Sequence, residues 1–266
     1  MSNNKVLFKD FLEKNLQEKE LNWVLSIVNN EKSIKNAFVL TPRFISRNIV
    51  NVSHLISNDK SWGLDRLVRI YFILLLEEKN ELNFENEMNL LFETAENNES
   101  IALLSSLYFL KQPSKWILKA TDAVRSNIGD VFDAIAFDTA YPSIYFSELA
   151  WNQLVLKCIF NDKPIHKIIG LTQRANSKLA ETLSDFAHER WAAGRTVPAQ
   201  VWRLVINYVN ENIFKDLERL ITSEDEKDRI AAYLVCIEND STKYLLEKFP
   251  QNIPLNILNR GWQYLE

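Results

Sequence analysis

The chain has 266 residues, 47% hydrophobic and 25% charged, with a net charge of −4 from 31 basic and 35 acidic side chains. That length supports a substantial core, and the charge balance lacks the basic surplus that duplex-binding proteins use against phosphates, so no nucleic-acid partner is expected. Five glycines and seven prolines are few for the turns of a sheet protein or a phosphate-cradling loop, which leaves helices joined by short polar connections.

The N-terminal stretch 1–9 is polar and lacks the apolar run of a secretory signal. Phe8, Phe11, Leu12 and Leu16, then Leu21, Val24, Leu25 and Val28, recur at helical spacing and predict an opening helical pair. Thr41-Pro42 predicts the start of the next element, threonine as N-cap and proline at the first helical position. A strong helix is predicted over 61–76. Its apolar run is broken by Arg69 and too short to span a bilayer, so no transmembrane segment and a cytoplasmic location are expected. Asp65 and Arg69 form an i,i+4 pair on that helix, expected to be half buried and structural. Further helices are predicted at 84–96, 99–111, 113–126 and 128–138, and beyond the central segment at 198–210, 213–221, 225–238, 241–249 and 254–264. No alternating β-branched stretch predicts a strand. Cys158 and Cys236 sit in apolar helical patterns and read as small buried hydrophobes rather than a disulfide or metal site, which suits a reducing compartment.

This pattern predicts an all-α fold. Layered antiparallel helical hairpins in a degenerate HEAT/armadillo-like α-solenoid are the first reading, and a compact orthogonal helix bundle the alternative. One unit over 1–266 is expected, with a motif-dense core at 138–203 and a HEAT-like hairpin at 225–249.

The central segment is the most unusual. On a helical projection of 142–160, Gln153 and Lys157 form a solvated side, whereas Glu148 and Asn152 fall among Val155 and Ile159. A buried carboxylate needs a cationic or hydrogen-bonding partner. On the following helix Arg190 projects near the stripe of Leu179, Leu183 and Phe186, so a buried Glu148–Arg190 pair supplemented by Asn152 is expected. Asn176 or Ser177 is the expected N-cap of that helix, with Arg174 packing beside it or pointing into a cleft. At its far end His188, Glu181 and Arg195 share a polar side. That side reads as a solvated face, an anion site of His188 and Arg195, or a metal site of Asp185, His188 and Glu189. Trp151, Trp191 and Trp202 read as core aromatics, with a ring-binding wall as the alternative. His188-Glu189 lacks the second histidine of a zinc-protease helix. No phosphate loop, nucleophile elbow or Cys-x-x-Cys pair exists either, so no metal and no cofactor is expected. The acidic run 224–228 reads as a helix start favoured by the dipole.

The motifs Tyr141-Pro142, Glu148-Leu-Ala-Trp151-Asn152-Gln153, Arg174-Ala-Asn176 and Ala187-His-Glu-Arg190-Trp-Ala-Ala-Gly-Arg195, closing at Trp202-Arg203, resemble the EboA-domain family. Thr41-Pro-Arg43 and the Trp62, Asp65, Arg69 helix are similar to it as well. Asp138-Thr-Ala departs from the asparagine-proline flavour expected before the tyrosine-proline turn, so no function is assigned there. The resemblance implies a bacterial protein encoded beside a sugar-phosphate isomerase-like barrel, a dehydroquinate-synthase-like cyclase, a membrane prenyltransferase and hydrolases, in clusters that make or export a metabolite. It brings no catalytic assignment, and Glu148, Asn152, Arg174, His188, Glu189, Arg190 and Arg195 stand as motif positions. The expected function is therefore a non-enzymatic accessory or scaffold handling a metabolite with protein partners of the same pathway. The alternative is an enzyme or binder for a small anionic cyclic metabolite. It would use Arg174, His188 and Arg195 as the clamp and Glu148 or Glu189 as the acid–base group.

Overall fold

The computed structural model describes residues 4–29, 33–56, 60–249 and 254–266; Met1 to Asn3 of the polar N-terminal stretch lie outside them. The fold is all-α, apart from one antiparallel ribbon in which Ile49–Asn51 pairs with Ser61–Gly63 and Val50 stands opposite Trp62. The ribbon corrects the expectation of no strand. Three-residue strands are too short for alternation to register, and the helix expected from residue 61 consequently begins at Leu64. Among the described residues no helix is long and apolar enough to cross a membrane. The helices gather into two units, Met1–Ala150 and Trp151–Glu266.

In the first unit the Leu64–Lys79 helix is buried on nearly every side, from Leu64 to Glu77 with Arg66 half-exposed. It packs against the helices Asn4–Asn15, Ile34–Phe44 and Asn97–Ser106, as a helix apolar all round must. The polar group at its centre is Arg69, only 1% exposed.

Thr41-Pro42 does not open a helix. Ser33 caps the Ile34–Phe44 helix, its side chain accepting the Asn36 amide, and Pro42 falls inside the last turn. A proline there removes the amide that would pair with the carbonyl four residues back. That carbonyl belongs to Phe38, and it accepts the Arg69 Nε at 3.1 Å. Thr41 is fully buried and its hydroxyl donates to the Ala37 carbonyl at 2.8 Å. The Thr-Pro motif thus frees one backbone acceptor for the buried arginine.

Glu20 ties the same region together. Its carboxylate accepts the Ser46 amide at 2.7 Å and the Gln17 amide at 2.9 Å. Burial alone pushes this carboxyl up, but the Ser46 and Gln17 amides outweigh it, and the group lies below its ordinary value of 4.5. A folded pKa below the unfolded one stabilises the fold above pH 4.5, and that contribution is lost as pH falls through the folded value. Glu20→Gln is expected to flatten the acid limb of stability against pH, measured by urea denaturation between pH 3 and 6 (roughly the titration range of a carboxylate). An unchanged acid limb counts against this assignment.

In the second unit the Glu226–Glu238 helix buries Ile230, Ala231, Ala232, Leu234, Val235 and Cys236. It lies against the Glu211–Ile221 helix and the 3₁₀ segments Ala199–Leu204 and Asp240–Lys248. Asp225 caps it, accepting the Lys227 amide at 2.8 Å, with Glu226 and Asp228 in its first turn. The α-helices expected over 198–210 and 241–249 are 3₁₀ instead. From 201 to 209 the run of Val201, Trp202, Val205, Ile206 and Val209 crowds an α-helical turn. Cys158 and Cys236 are buried free thiols, and burial pushes Cys236 to about 11.

Candidate functional site

The Glu148–Phe160 helix begins at Glu148 itself, so that side chain stands in the first turn and is exposed. Asn152 is 7% exposed and engages Asn176 reciprocally: Asn152 Nδ2 donates to Asn176 Oδ1 at 3.1 Å, and Asn176 Nδ2 donates back at 2.8 Å. Asn176 Oδ1 also accepts the Leu179 amide at 2.9 Å, capping the Ser177–Ala192 helix. One residue therefore starts a helix and satisfies a buried amide. Arg174 packs its guanidinium over Trp151 at 5.0 Å, and Trp151 is fully buried.

The expected Glu148–Arg190 pair is replaced. Arg190 is half-exposed, lies over Phe186 at 5.4 Å, and donates its Nε to the Thr196 carbonyl. The backbone explains that contact. Gly194 takes φ +66°, its amide reaches the Trp191 carbonyl at 3.0 Å, and the Arg195 amide reaches the Arg190 carbonyl at 2.8 Å. These two bonds end the helix in a Schellman turn, which glycine enters without a Cβ penalty. The reversal brings Thr196 back over Arg190 and leaves Arg195 exposed.

A polar staple does join two helices, with other members. Asp216, on the Glu211–Ile221 helix, is 2% exposed. Its Oδ2 accepts the Ser184 hydroxyl at 2.5 Å, and its Oδ1 lies 2.5 Å from His188 Nε2. Ser184 and His188 are one helical turn apart, so a single carboxylate bridges both. His188 keeps 49% of its side chain exposed and touches the Trp191 ring at 5.8 Å. Asp216 was legible in principle, because it falls on the stripe of Ile213, Leu217 and Leu220. Glu189 and Asp185 are exposed, and among the described residues no three His, Cys, Asp or Glu side chains converge as a metal site.

Beyond His188 the end of this helix forms one wall of a cleft of about 400 Å³. Trp191, Gly194, Arg195 and Thr196 face Arg219, Ser223, Asp225 and Asp228 across it. The Arg219 guanidinium lies 4.3 Å from the Trp191 ring centre, and Trp202 stacks on Trp191 at 5.9 Å. Among the described residues Arg195 forms no ion pair, so it and Arg219 supply the cleft's positive charge. Burial pushes the Asp228 carboxyl upward, and Asp228 accepts the Ser223 hydroxyl at 2.9 Å.

A family-wide sequence profile described as "Metabolite traffic protein EboA" matches residues 4–206. The chain belongs to the EboA family. No curated protein and no solved structure matches it. The EboA match covers all seven motif positions and the Trp191–Thr196 wall of the cleft, whereas Asp216, Arg219, Asp225 and Asp228 lie after it.

Proposed function

We propose that this EboA-family chain is a cytoplasmic accessory protein of a bacterial small-molecule biosynthesis or export pathway. It binds a small anionic metabolite between Arg195 and Arg219 and passes it to protein partners of that pathway. The observation that carries this reading is the cleft itself. Its exposed arginine, Arg195, is projected by a glycine-dependent helix end, and it opens beside a second arginine fixed on Trp191. Guanidinium groups are the side chains best suited to carboxylate and phosphate ligands. The family's description as a metabolite traffic protein agrees with it.

Native mass spectrometry of the chain incubated with cell extract tests the reading. A retained small anion is expected on the wild type and is lost in Arg195→Ala. Recovery of the bare chain from every extract counts against binding, and a pull-down that brings down none of the neighbouring pathway proteins counts against the accessory role. A second reading, proton transfer on the bound metabolite, rests on the His188–Asp216 pair. With Nε2 held by a buried carboxylate, Nδ1 of a half-exposed imidazole is left to exchange a proton.

A further inference from the structure

The cleft beside Trp191 continues beyond its own rim. It shares Thr196, Asp225 and Asp228 with a second hollow of about 270 Å³. That hollow shares Pro198, Gln200 and Leu265 with a third of about 330 Å³. Through these shared walls the three hollows adjoin one another, all within the Trp151–Glu266 unit.

Its two ends differ in chemistry. One end presents Arg195 and Arg219. The other is floored by Ile159, Ile165, Val201 and Leu265, all buried, with Pro164 and Pro198 completing the apolar surface. Lys163 and His166 there are only half-buried, and Asp162 and Glu266 are exposed. The acids of the middle stretch are engaged by their own backbone and hydroxyl neighbours. Asp225 accepts the Lys227 amide at 2.8 Å, and Asp228 accepts the Ser223 hydroxyl at 2.9 Å, its carboxyl raised by burial and lowered by Arg219 and Arg229. A small hydrophilic anion would use only the first end and leave the apolar end filled with water. A ligand with an apolar chain uses both, because hydrocarbon gains by leaving water for such a surface.

We infer that the groove takes an amphiphilic anion, its anionic head between Arg195 and Arg219 and its hydrocarbon chain running past Gln200 onto Ile165 and Val201. This assignment rests on the anion-binding reading of the cleft and adds the class of the ligand. The head is recognised by charge and the chain by burial, so each can be removed separately.

Calorimetric titration of the full chain with ethyl phosphate and octyl phosphate, both below any micelle-forming concentration, separates the two. Each methylene moved from water onto the apolar floor is worth about a fourfold gain in affinity. Octyl phosphate is therefore expected to bind at least about tenfold more tightly than ethyl phosphate, even with only part of its chain buried. Leu265→Glu, which places a charge on that floor, is expected to erase the octyl advantage while leaving ethyl phosphate binding unchanged. Val201→Trp, which fills the hollow, should do the same in protein whose helical circular dichroism is intact. Arg195→Ala is expected to weaken both ligands alike. Equal affinity of the wild type for the two phosphates overturns the amphiphile assignment and leaves the anion reading standing. Failure of both phosphates to bind overturns both. An octyl advantage that survives Leu265→Glu and Val201→Trp overturns the placement of the chain.

Discussion

Arg69→Met is expected to lower the unfolding free energy by about 3–5 kcal/mol, the range for removing one member of a buried charge cluster. The guanidinium is 1% exposed and has acids on two sides. Its Nη1 lies 3.8 Å from Asp65, and its Nη2 lies 3.7 Å from Glu99 and 3.8 Å from Glu96. Its Nε satisfies the Phe38 carbonyl that Pro42 leaves open. Methionine fills the volume but supplies no donor and no charge. It strands that carbonyl, leaves the poorly exposed Glu99 without a cation, and leaves Asp65 only the exposed Arg47 at 3.9 Å. Urea denaturation at neutral pH measures the loss, and a change below about 1 kcal/mol, the size of an exposed pair, would falsify the account. Adding Asp65→Asn and Glu99→Gln to Arg69→Met is expected to recover part of the loss. The penalty arises from uncompensated charge, which the neutral amides remove.

That cluster shows what kind of structure the sequence discloses. The i,i+4 spacing of Asp65 and Arg69 was visible, and so was its position on an apolar helix. Glu96 and Glu99 were not, because the Asn97–Ser106 helix and its cap bring them in: Glu99 closes a capping box with Glu96 and turns its other oxygen toward Arg69. Periodicity reports which face of one helix is buried, and it says nothing about which helix faces it. The Thr41-Pro42 reading failed for a related reason. Proline is favoured at helix starts on average, but here a side chain from another helix takes the freed carbonyl, and average preference gives way to tertiary context.

The candidate site divides in the same way. Asn176 as a cap follows from a local rule, and its second bond, to Asn152, follows from burial of a polar group that needs a partner. Glu148 misleads because projection assumes a helix already under way, whereas the helix begins at that residue and its first turn looks into solvent. Arg190 misleads because the Gly194 reversal supplies a backbone acceptor that no wheel contains. The groove itself needs segments from 159 to 266, and their meeting is a property of the tertiary fold alone.

Asp216→Ala is expected to cost about 2–4 kcal/mol, since it leaves a buried hydroxyl without its acceptor and removes the carboxylate that bridges two helices. Ser184 is 3% exposed and cannot turn to water, whereas half-exposed His188 can. Most of the loss therefore belongs to Ser184 and to the emptied space. Ser184→Ala alone should cost about 1.5–3 kcal/mol, the worth of one hydrogen bond to a charged group. Asp216→Asn separates stability from chemistry. The amide oxygen still accepts the Ser184 hydroxyl, and its NH₂ donates to Nε2 of the other histidine tautomer, so the fold should survive with a loss near 1 kcal/mol. Nδ1 then carries the hydrogen and can no longer accept one. If His188 only staples helices, Asp216→Asn keeps whatever metabolite binding and turnover the wild type has. If His188 accepts a proton from the bound metabolite, Asp216→Asn retains the ligand in native mass spectrometry and loses turnover, as a reversed tautomer does in hydrolase triads. Unfolding curves of Asp216→Ala, Asp216→Asn and Ser184→Ala, set beside ligand retention in the same proteins, decide whether this buried carboxylate is a strut or the back of an acid–base pair.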